Sequence, residues 1–463
     1  MVTRRRMLQT AVTMPISAGV PVFAADGPSL SAAPLAGHFT HDSVRVWLQS
    51  TVATVATIFY WPEQEKESGA RRLSMAMSEK DACSIIAMIS GLTPDTRYRF
   101  SVHLGSQPTG IMRTFRTAPA PGAAPAAFRV YIGSCAYTEA MSPTGNPYGD
   151  EFHIFDHIAA QMRTDGLPHF MLWLGDNLYL RPKGIFLSEA DFASAARMEA
   201  RYREVRENEM LQKLIAATHH YAIWDDHDFG PNDADKSFRF KADALRLFKQ
   251  YWPNPEMGSA ELPGTWTSFM HQDAEFFLLD DRTYRDNEKA PVRDAKTMFG
   301  REQLAWLKHS LVASNATFKL VCNGSQLLSD NENGHHSGWH SYQAERDGFF
   351  AWLQREKISG LVFLSGDRHN TQVFRLTQKD APTIYEFSCS PLTSRLYKLD
   401  QRERANPRLV KELAVEIRNF GTLEFTGLGA NRQLIARCFD SSAKMRWEKT
   451  IASTQVSATG EPI

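Results

Sequence analysis

Hydrophobic and polar residues follow two different patterns along the chain. Between about residues 30 and 117, apolar and polar side chains alternate in short runs separated by turn residues, as in Ser43–Leu48 and Thr57–Trp61. A period of two is typical of strands with one buried face, and no long helical period interrupts this part. We therefore predict a β-sandwich domain over residues 28–117, with a supporting or lid role.

The pattern changes after residues 118–127, a Pro- and Ala-rich segment that cannot join a sheet and is predicted to be a linker. From residue 128 onward, strand-like apolar runs alternate with segments whose apolar residues recur at helical spacing. The predicted strands are Phe128–Ile132, Glu275–Leu279, Phe318–Val321, Ile384–Ser388, Gly421–Phe425, Leu434–Phe439 and Met445–Ile451, and the predicted helices are Asp150–Met162 and Arg301–Leu311. This alternation predicts a layered α/β domain over residues 128–455, with ligands bound at the strand tips.

Three of the apolar runs end in acidic motifs. They are Gly-Asp-Asn-Leu-Tyr at 175–179, Asp-Asp-His-Asp at 225–228 and Gly-Asp-Arg-His-Asn at 366–370, and a fourth run ends in Gly-Ser-Cys at 133–135. Carboxylates, histidine and tyrosine gathered at one sheet edge can hold two or more metal ions. The motifs therefore predict a metal-dependent hydrolase.

Each motif offers a residue for one part of such a site. Asp176 is the natural carboxylate to bridge two metals, because it follows a buried strand and the flexible Gly175. Tyr179 can reach the same ion as a phenolate, which favours a strongly Lewis-acidic ion such as Fe³⁺. Asp226 is assigned to the second metal. The adjacent His227 is assigned as a donor that stabilises charge or protonates the leaving group.

The remaining motifs complete the predicted set. Asp367 and His369 lie two residues apart, and on an extended segment both would face the metals. Arg368, between them, would then point away and pack. Cys135 would supply a thiolate at the tip of the first strand of this domain.

Taken singly, every motif has an ordinary structural explanation. A Gly-Asp pair is common in turns, Asp-Asp-His-Asp can cap a helix, and a cysteine at a strand end is usually packed. Only the joint occurrence at four strand ends favours chemistry. A secreted binding protein with a purely structural metal site remains an alternative from a different class.

The length of the chain, its net charge and its N-terminal segment indicate the number of domains, the kinds of partner and the location of the protein. A chain of 463 residues is expected to form two domains, and 52 basic against 52 acidic residues give no sign of nucleic acid or an anionic membrane as partner. Residues 1–25 are predicted to be a twin-arginine signal, with paired arginines in Thr3–Gln9 and cleavage after Ala24 or Ala25. The apolar stretch that follows the arginines is too short to span a bilayer. The predicted location is therefore periplasmic or secreted, with the twin-arginine export machinery as partner.

The four motifs, in this order, resemble the alkaline phosphatase D (PhoD-like) family of the calcineurin-like metallophosphoesterases. Further resemblance lies in Leu-Asp-Asp-Arg-Thr-Tyr-Arg at 279–285 and Ser-Cys-Ser-Pro-Leu-Thr-Ser at 388–394. The resemblance implies a four-layer α/β sandwich behind a fibronectin-III-like β-sandwich domain. In the latter, Leu92–Phe100 resembles a corner in which a tyrosine hydroxyl holds a loop.

The resemblance also implies the metals and their ligands. Fe³⁺ would be held by Cys135, Asp176, Tyr179 and His369, and Ca²⁺ by Asp176, Asp226 and Asp367, with other divalent ions as alternatives. Additional candidate ligands for metal or substrate are Asn177, Asn232 and Asn323. Asn323 stands near the position where superfamily relatives usually supply another histidine.

The expected activity is hydrolysis of phosphate esters, in which a metal-bound hydroxide attacks phosphorus. The substrate would be a small phosphomonoester or diester. A phosphodiesterase of the same family that acts on phospholipids or nucleotides is the alternative. Substrate choice is expected to depend on the loops Arg181–Arg206 and Ser325–Tyr342.

Overall fold

The structure is a computed structural model that describes residues 27–138, 148–180, 194–290, 296–330 and 338–460. Seven strands precede the predicted linker: β1 (Leu35–Phe39), β2 (Ser43–Gln49), β3 (Thr54–Pro62), β4 (Arg71–Met77), β5 (Ser84–Ser90), β6 (Arg97–Leu104) and β7 (Gln107–Arg116). Twelve follow it: β8 (Phe128–Gly133), β9 (His169–Leu174), β10 (His219–Ile223), β11 (Thr267–His271), β12 (Ala274–Leu278), β13 (Phe318–Cys322), β14 (Leu361–Ser365), β15 (Gln372–Leu376), β16 (Ile384–Ser388), β17 (Asn419–Thr426), β18 (Gln433–Asp440) and β19 (Met445–Ala452). The α-helices within the described residues are α1 (His153–Thr164), α2 (Ala195–Glu207), α3 (Glu209–Ile215), α4 (Asp226–Phe229), α5 (Lys241–Tyr251), α6 (Arg301–Ala313), α7 (Gln343–Glu356) and α8 (Gln401–Ala405).

The strands form three sheets within the described residues. A nine-stranded sheet has the order β19-β18-β17-β8-β9-β10-β1-β2-β5, and a six-stranded sheet has the order β11-β12-β13-β14-β16-β15. The third sheet, β4-β3-β6-β7, lies wholly before the linker. Strands β8, β9 and β10 run parallel to one another, as do β12, β13, β14 and β16, so each large sheet has a parallel centre.

Alternation along the buried strands determines the layers. On β9, Phe170, Leu172 and Leu174 point into the core between the two large sheets, whereas Met171 and Trp173 point to the opposite face. That opposite face is covered by α1, α2, α3 and α5. Helices α6 and α7 cover the outer face of the six-stranded sheet in the same way. The predicted four-layer α/β sandwich is therefore confirmed.

The N-terminal strands are joined to this sandwich. Strands β1, β2 and β5 extend the nine-stranded sheet, because β1 pairs in parallel with β10. This sheet therefore contains strands from both sides of the predicted linker at residues 118–127. The linker itself contains no strand. In the corner at Leu92–Phe100, the Tyr98 hydroxyl accepts a 2.9 Å hydrogen bond from the Thr93 amide, as the resemblance to fibronectin-III-like domains predicted.

Two histidines near the sandwich interior serve the fold. His219 bonds the Gly37 carbonyl through Nδ1 and accepts the Arg116 amide at Nε2. His220 accepts the Trp173 indole N–H at 3.1 Å, and its other nitrogen lies 3.2 Å from two backbone carbonyls. Both rings therefore have hydrogen-bond partners within the core.

The five cysteines are all buried and free of disulfides.

Part of the region predicted to be a loop is helical. Residues 195–206 of the predicted loop Arg181–Arg206 belong to α2, and residues 181–193 lie outside the described part. The buried positions of α2 recur with helical spacing, but two of them are Arg201 and Arg206, which hides the apolar stripe. The Arg206 guanidinium lies over the Trp252 ring at 4.1 Å, which explains how a charged residue packs there.

In the described part of the chain, no helix has the length and apolar character needed to cross a membrane. The predicted export signal at residues 1–25 lies outside the described residues and stays a prediction.

Candidate metal centre

The predicted ligands all follow the carboxyl ends of parallel strands. Cys135, Asp176 and Asp367 each come two residues after β8, β9 and β14, and Asp226 comes three residues after β10. Parallel strands end at the same edge of a sheet, so two sheets packed face to face bring these ends together. The main-chain carbonyl of Asp367, from the six-stranded sheet, lies 3.5 Å from the Cys135 sulfur of the nine-stranded sheet.

The chain turns sharply at each of these ends. Cys135, Asp176, Asp367 and His369 have φ values of 56°, 51°, 63° and 57°, in the left-handed region that few residues other than glycine adopt. Such conformations persist where surrounding structure enforces them, and they concentrate at functional sites. These four residues therefore stand in turns built against local backbone preference.

Glycines allow the ends to approach so closely. A side chain at Gly366 would put its Cβ 2.3 Å from the Leu174 carbonyl oxygen and 2.6 Å from the Ser134 Cβ. Gly175 has a φ of 90°, and a Cβ there would lie 2.7 Å from the Asp225 Cβ. Only glycine permits contact between the ends of β9, β10 and β14.

Two groups of candidate ligand atoms meet at Asp176. In one group, atoms of Cys135, Asp176 and His369 lie within 4.8 Å of one another, and in the other, atoms of Asp176, Asp226 and His227 do so. All five residues are buried. Asp176 thus occupies the position expected of a bridging carboxylate.

Asp367 stands beside these groups rather than within either of them. It is partly exposed, and the charges of Asp226 and Asp233 act on its carboxylate. Burial, followed by the charge of Asp226, raises the pKa of Asp367 to about 7.

The segment that carries Asp367 and His369 differs from the prediction in shape. We expected an extended run in which alternate side chains face the metals, but both residues have left-handed backbone conformations. Arg368 does point away, as expected, and its Nε donates a 2.6 Å hydrogen bond to the buried Glu403 carboxylate. Turn geometry rather than strand alternation therefore orients His369.

His369 is held as a neutral imidazole. Its Nδ1 bonds the Arg395 carbonyl and its amide donates to Ser390 Oγ at 2.9 Å. Since a carbonyl accepts only from a protonated nitrogen, Nε2 is left with a lone pair for a cation. Burial lowers the pKa of His369 to about 3, which keeps the ring uncharged.

Serine hydroxyls accompany the two softer candidate ligands. Ser390 Oγ lies 3.1 Å from the Cys135 sulfur, and the Tyr179 hydroxyl lies 2.9 Å from Ser394 Oγ. Burial and the nearby Asp176 charge raise the pKa of both Cys135 and Tyr179. Thiolate and phenolate at these positions therefore need a cation to form.

Tyr179 sits among aromatic rings. Its ring centroid is 4.3 Å from that of His227, and it makes edge contacts with Tyr137 and Tyr148. These contacts restrict the orientation of the Tyr179 ring.

Two main-chain amides hold the Asp226 carboxylate. Its oxygens accept hydrogen bonds from the His227 amide at 2.9 Å and from the Asp233 amide at 2.7 Å. Although burial opposes ionisation, the charges of His227 and Arg282 and the Asp233 amide lower the pKa of Asp226. These interactions favour the ionised form of Asp226.

The other carboxylates repel one another. Burial, followed by the charges of Asp226 and Asp225, raises the pKa of Asp176 well above its ordinary range. Burial raises the pKa of Asp228 to about 8, although the amides of Asp225 and Asn177 donate to it. So many acidic groups in one buried place fit a site built for cations.

The three asparagine candidates differ. The Oδ1 atoms of Asn177 and Asn323 are buried and lack a hydrogen-bond partner among the described residues, so each has an acceptor to offer. The Asn177 amide group instead donates to Ile223, and that of Asn323 to Ser325. Asn232 is exposed, and its amide group donates to Asp233.

Several contacts around the site were not predicted from the sequence. Asp225 and Arg282 form a fully buried ion pair beside Asp226, and Ser390 and Ser394 contact the candidate ligands. The sequence carried a signal for them in the segments 279–285 and 388–394, which we noted only for their resemblance. Of the predicted loop Ser325–Tyr342, residues 331–337 lie outside the described part.

Comparison with known proteins identifies the family and the fold of the chain. Residues 132–430, which include every predicted site residue, match the family model of the PhoD-like phosphatases. No curated protein sequence matches the chain. Among solved structures, the chain is similar to PhoD, with 18% sequence identity and a TM-score of 0.74 over 93% of this chain and 91% of that one.

A second solved structure shares the fold. The purple acid phosphatase PPD1 from yellow lupin (Lupinus luteus) seeds is 11% identical, with a TM-score of 0.64 over 91% of this chain and 74% of that one. At these identities the two solved structures show only that the fold is shared. The match to the family model is what indicates a phosphatase.

The crowded carboxylates make the stability of the metal-free protein depend on pH. The pKa values of Asp228 and Asp367, about 8 and about 7 in the folded protein, exceed that of an exposed aspartate, so the folded protein binds these protons more tightly than the unfolded chain does. Their stabilising effect is fully present below about pH 4 and is lost as the pH rises through these two values. We expect chelation to lower the Tm by about 5 °C or more at about pH 8.5, and by much less at about pH 5.5, in a thermal unfolding experiment.

The metal-loaded protein at each pH is the control, because groups outside the cluster titrate equally in both samples. An equal decrease of Tm at the two pH values would contradict the raised pKa values of Asp228 and Asp367.

Proposed function

Since the chain belongs to the PhoD-like phosphatase family, we propose that it is an exported, metal-dependent phosphoesterase that hydrolyses small phosphate monoesters or diesters. The observation that carries the proposal is the convergence of Cys135, His369 and Asp226 on a shared Asp176. A bridging carboxylate with different ligands on each side is what two adjacent metal ions require. Export through the twin-arginine machinery to the periplasm or outside the cell is supported by the N-terminal motif alone.

The donor chemistry supports different ions on the two sides of Asp176. Thiolate, phenolate and imidazole suit iron, so we assign Cys135, Tyr179 and His369 with Asp176 to Fe³⁺. Carboxylates suit calcium, so we assign Asp226 and Asp367 with Asp176 to Ca²⁺. When bound, the ions would supply the Lewis acidity that acidifies an attacking water and neutralises charge on phosphoryl oxygens.

The protein's own groups would prepare this chemistry in advance. The Arg395 carbonyl fixes the tautomer of His369, and two main-chain amides fix the orientation of Asp226. Ligands held in place in this way do not have to reorganise when substrate binds.

His227 is proposed to act on the leaving oxygen. Its imidazole lies against the Tyr179 ring and has a nitrogen within 4.8 Å of carboxylate oxygens of Asp176 and Asp226. Protonated, it would donate a proton to the leaving oxygen as the ester bond breaks. The distance from its nitrogen to these carboxylate oxygens would also suit a metal ligand. Replacing His227 with alanine distinguishes the two roles, because the metal content of the protein falls only if His227 is a ligand.

Removal of a central carboxylate should abolish activity without unfolding the protein. We expect Asp176→Ala and Asp226→Ala to lower kcat/KM for a phosphate ester by about 1,000-fold or more. The fold should survive Asp176→Ala because that change relieves repulsion in the metal-free cluster. Asp156→Ala, which removes an exposed carboxylate paired with Lys213, should leave activity unchanged.

Kinetics on a phosphomonoester and a phosphodiester would measure the loss of activity, and circular dichroism of each variant would show whether the fold is kept. Full activity after complete chelation of the wild type, or in either central variant, would overturn the proposed mechanism.

Iron bound through Tyr179 should give the protein colour. We expect the iron-loaded protein to show a visible phenolate-to-iron charge-transfer band that Tyr179→Phe removes. Tyr137→Phe is the matched control, because Tyr137 is a buried neighbour whose ring contacts that of Tyr179. Absorption spectra of the wild type and the two variants would measure this band. A colourless, iron-free but active enzyme would refute the iron assignment.

A further inference from the structure

Arg282 lies outside every predicted ligand set, yet it is tied to the chain on both sides of Asp226. We propose that Arg282 is a positioning residue that fixes the Asp226 carboxylate for metal binding. The inference rests on the proposed function, since it assumes that Asp226 holds a cation.

The first tie is to the residue before Asp226. Arg282 Nε donates a 2.7 Å hydrogen bond to Asp225 Oδ1, and its Nη2 bonds the same oxygen. Both side chains are completely buried. A buried ion pair of this kind holds its partners strongly, because breaking it would leave an uncompensated charge.

The second tie is to the loop after Asp226. Arg282 Nη1 donates to the Ala234 carbonyl at 3.3 Å, and the preceding residue, Asp233, donates its amide to Asp226 Oδ2. The loop that holds one Asp226 oxygen is therefore itself held by Arg282. One guanidinium thus restrains the chain on both sides of the carboxylate.

Arg282 is itself rigidly placed. It belongs to the turn after β12, where Asp280 Oδ1 accepts the amides of Arg282 and Thr283 at 3.0 and 2.9 Å. The same oxygen accepts the indole N–H of Trp224, the residue before Asp225. The turn after β12 in the six-stranded sheet is therefore connected twice to the end of β10 in the nine-stranded sheet.

Lysine cannot reproduce this arrangement. Arg282 reaches Asp225, Ala234 and also Ser325 Oγ, the last at 3.1 Å, through three different nitrogens. An ammonium group keeps the charge but lacks the planar fork that spans these acceptors. Arg282→Lys therefore separates the geometric role from the charge.

The chain offers a closely matched control. Arg432 contacts Asp273 through Nε and Nη2 and a main-chain carbonyl, that of Gly427, through Nη1, and its side chain is also buried. These contacts repeat the pattern of Arg282, but they involve none of the candidate metal-site residues. Arg432→Lys should therefore cost similar stability without touching the proposed metal site.

The test is calorimetric titration of Ca²⁺ into the chelator-treated full chain, with kcat and KM measured on the metal-loaded protein. We expect Arg282→Lys to weaken Ca²⁺ binding by about 10- to 100-fold and to lower kcat more than it raises KM. Arg432→Lys should leave Ca²⁺ affinity and kcat within about twofold of wild type. Asp225→Asn, which keeps the shape of the partner but removes its charge, should weaken Ca²⁺ binding as Arg282→Lys does.

Two results would overturn the inference. One is unchanged Ca²⁺ affinity in folded Arg282→Lys, and the other is an equal loss in both lysine variants. Should Arg282→Lys fail to fold, unchanged affinity in Asp225→Asn overturns it, and weakened affinity in Asp225→Asn supports it. A wild type that binds Ca²⁺ but hydrolyses no phosphate ester would refute the proposed function, while the affinity comparison still decides the role of Arg282.

Discussion

The burial of several carboxylates next to one another is the constraint on which the rest of the structure depends. Asp176, Asp225, Asp226 and Asp228 are buried together at the meeting point of two sheets, with Asp367 at their edge. Burial raises the pKa of Asp176 and of Asp228, so without cations these two carboxyl groups favour their protonated forms. Arg282 balances part of this charge through Asp225, and metal ions at the shared Asp176 would balance the remainder.

The fold brings these groups together by stacking two sheets whose parallel strands end at one edge. Buried apolar strands hold the sheets face to face, and Cys135, Asp176 and Asp367 adopt left-handed conformations just beyond the strand ends. Hydrogen bonds from the segment after β16 then fix His369 and approach the Cys135 sulfur. Stability thus resides in the sheets, and the turns that carry the ligands contain residues in left-handed conformations.

The sequence predicted the layers and the position of the site because both depend on simple patterns. Long apolar runs that end in acidic residues indicate buried strands with functional tips, and the structure places Cys135, Asp176, Asp226 and His369 together. Local turn geometry could not be predicted, since left-handed conformations at aspartate and histidine depend on contacts with distant strands. Helix α2 was missed because buried arginines interrupt its apolar face. The contacts of Arg282 could not be predicted, because its partners lie 48 and 57 residues away in the sequence.

Elemental analysis of the protein, purified without chelators or affinity metals, tests the central claim most directly. The account predicts at least two metal ions per chain, one of them iron, and their joint loss with phosphoesterase activity when the protein is chelated. Fully active protein that contains no metal would contradict it.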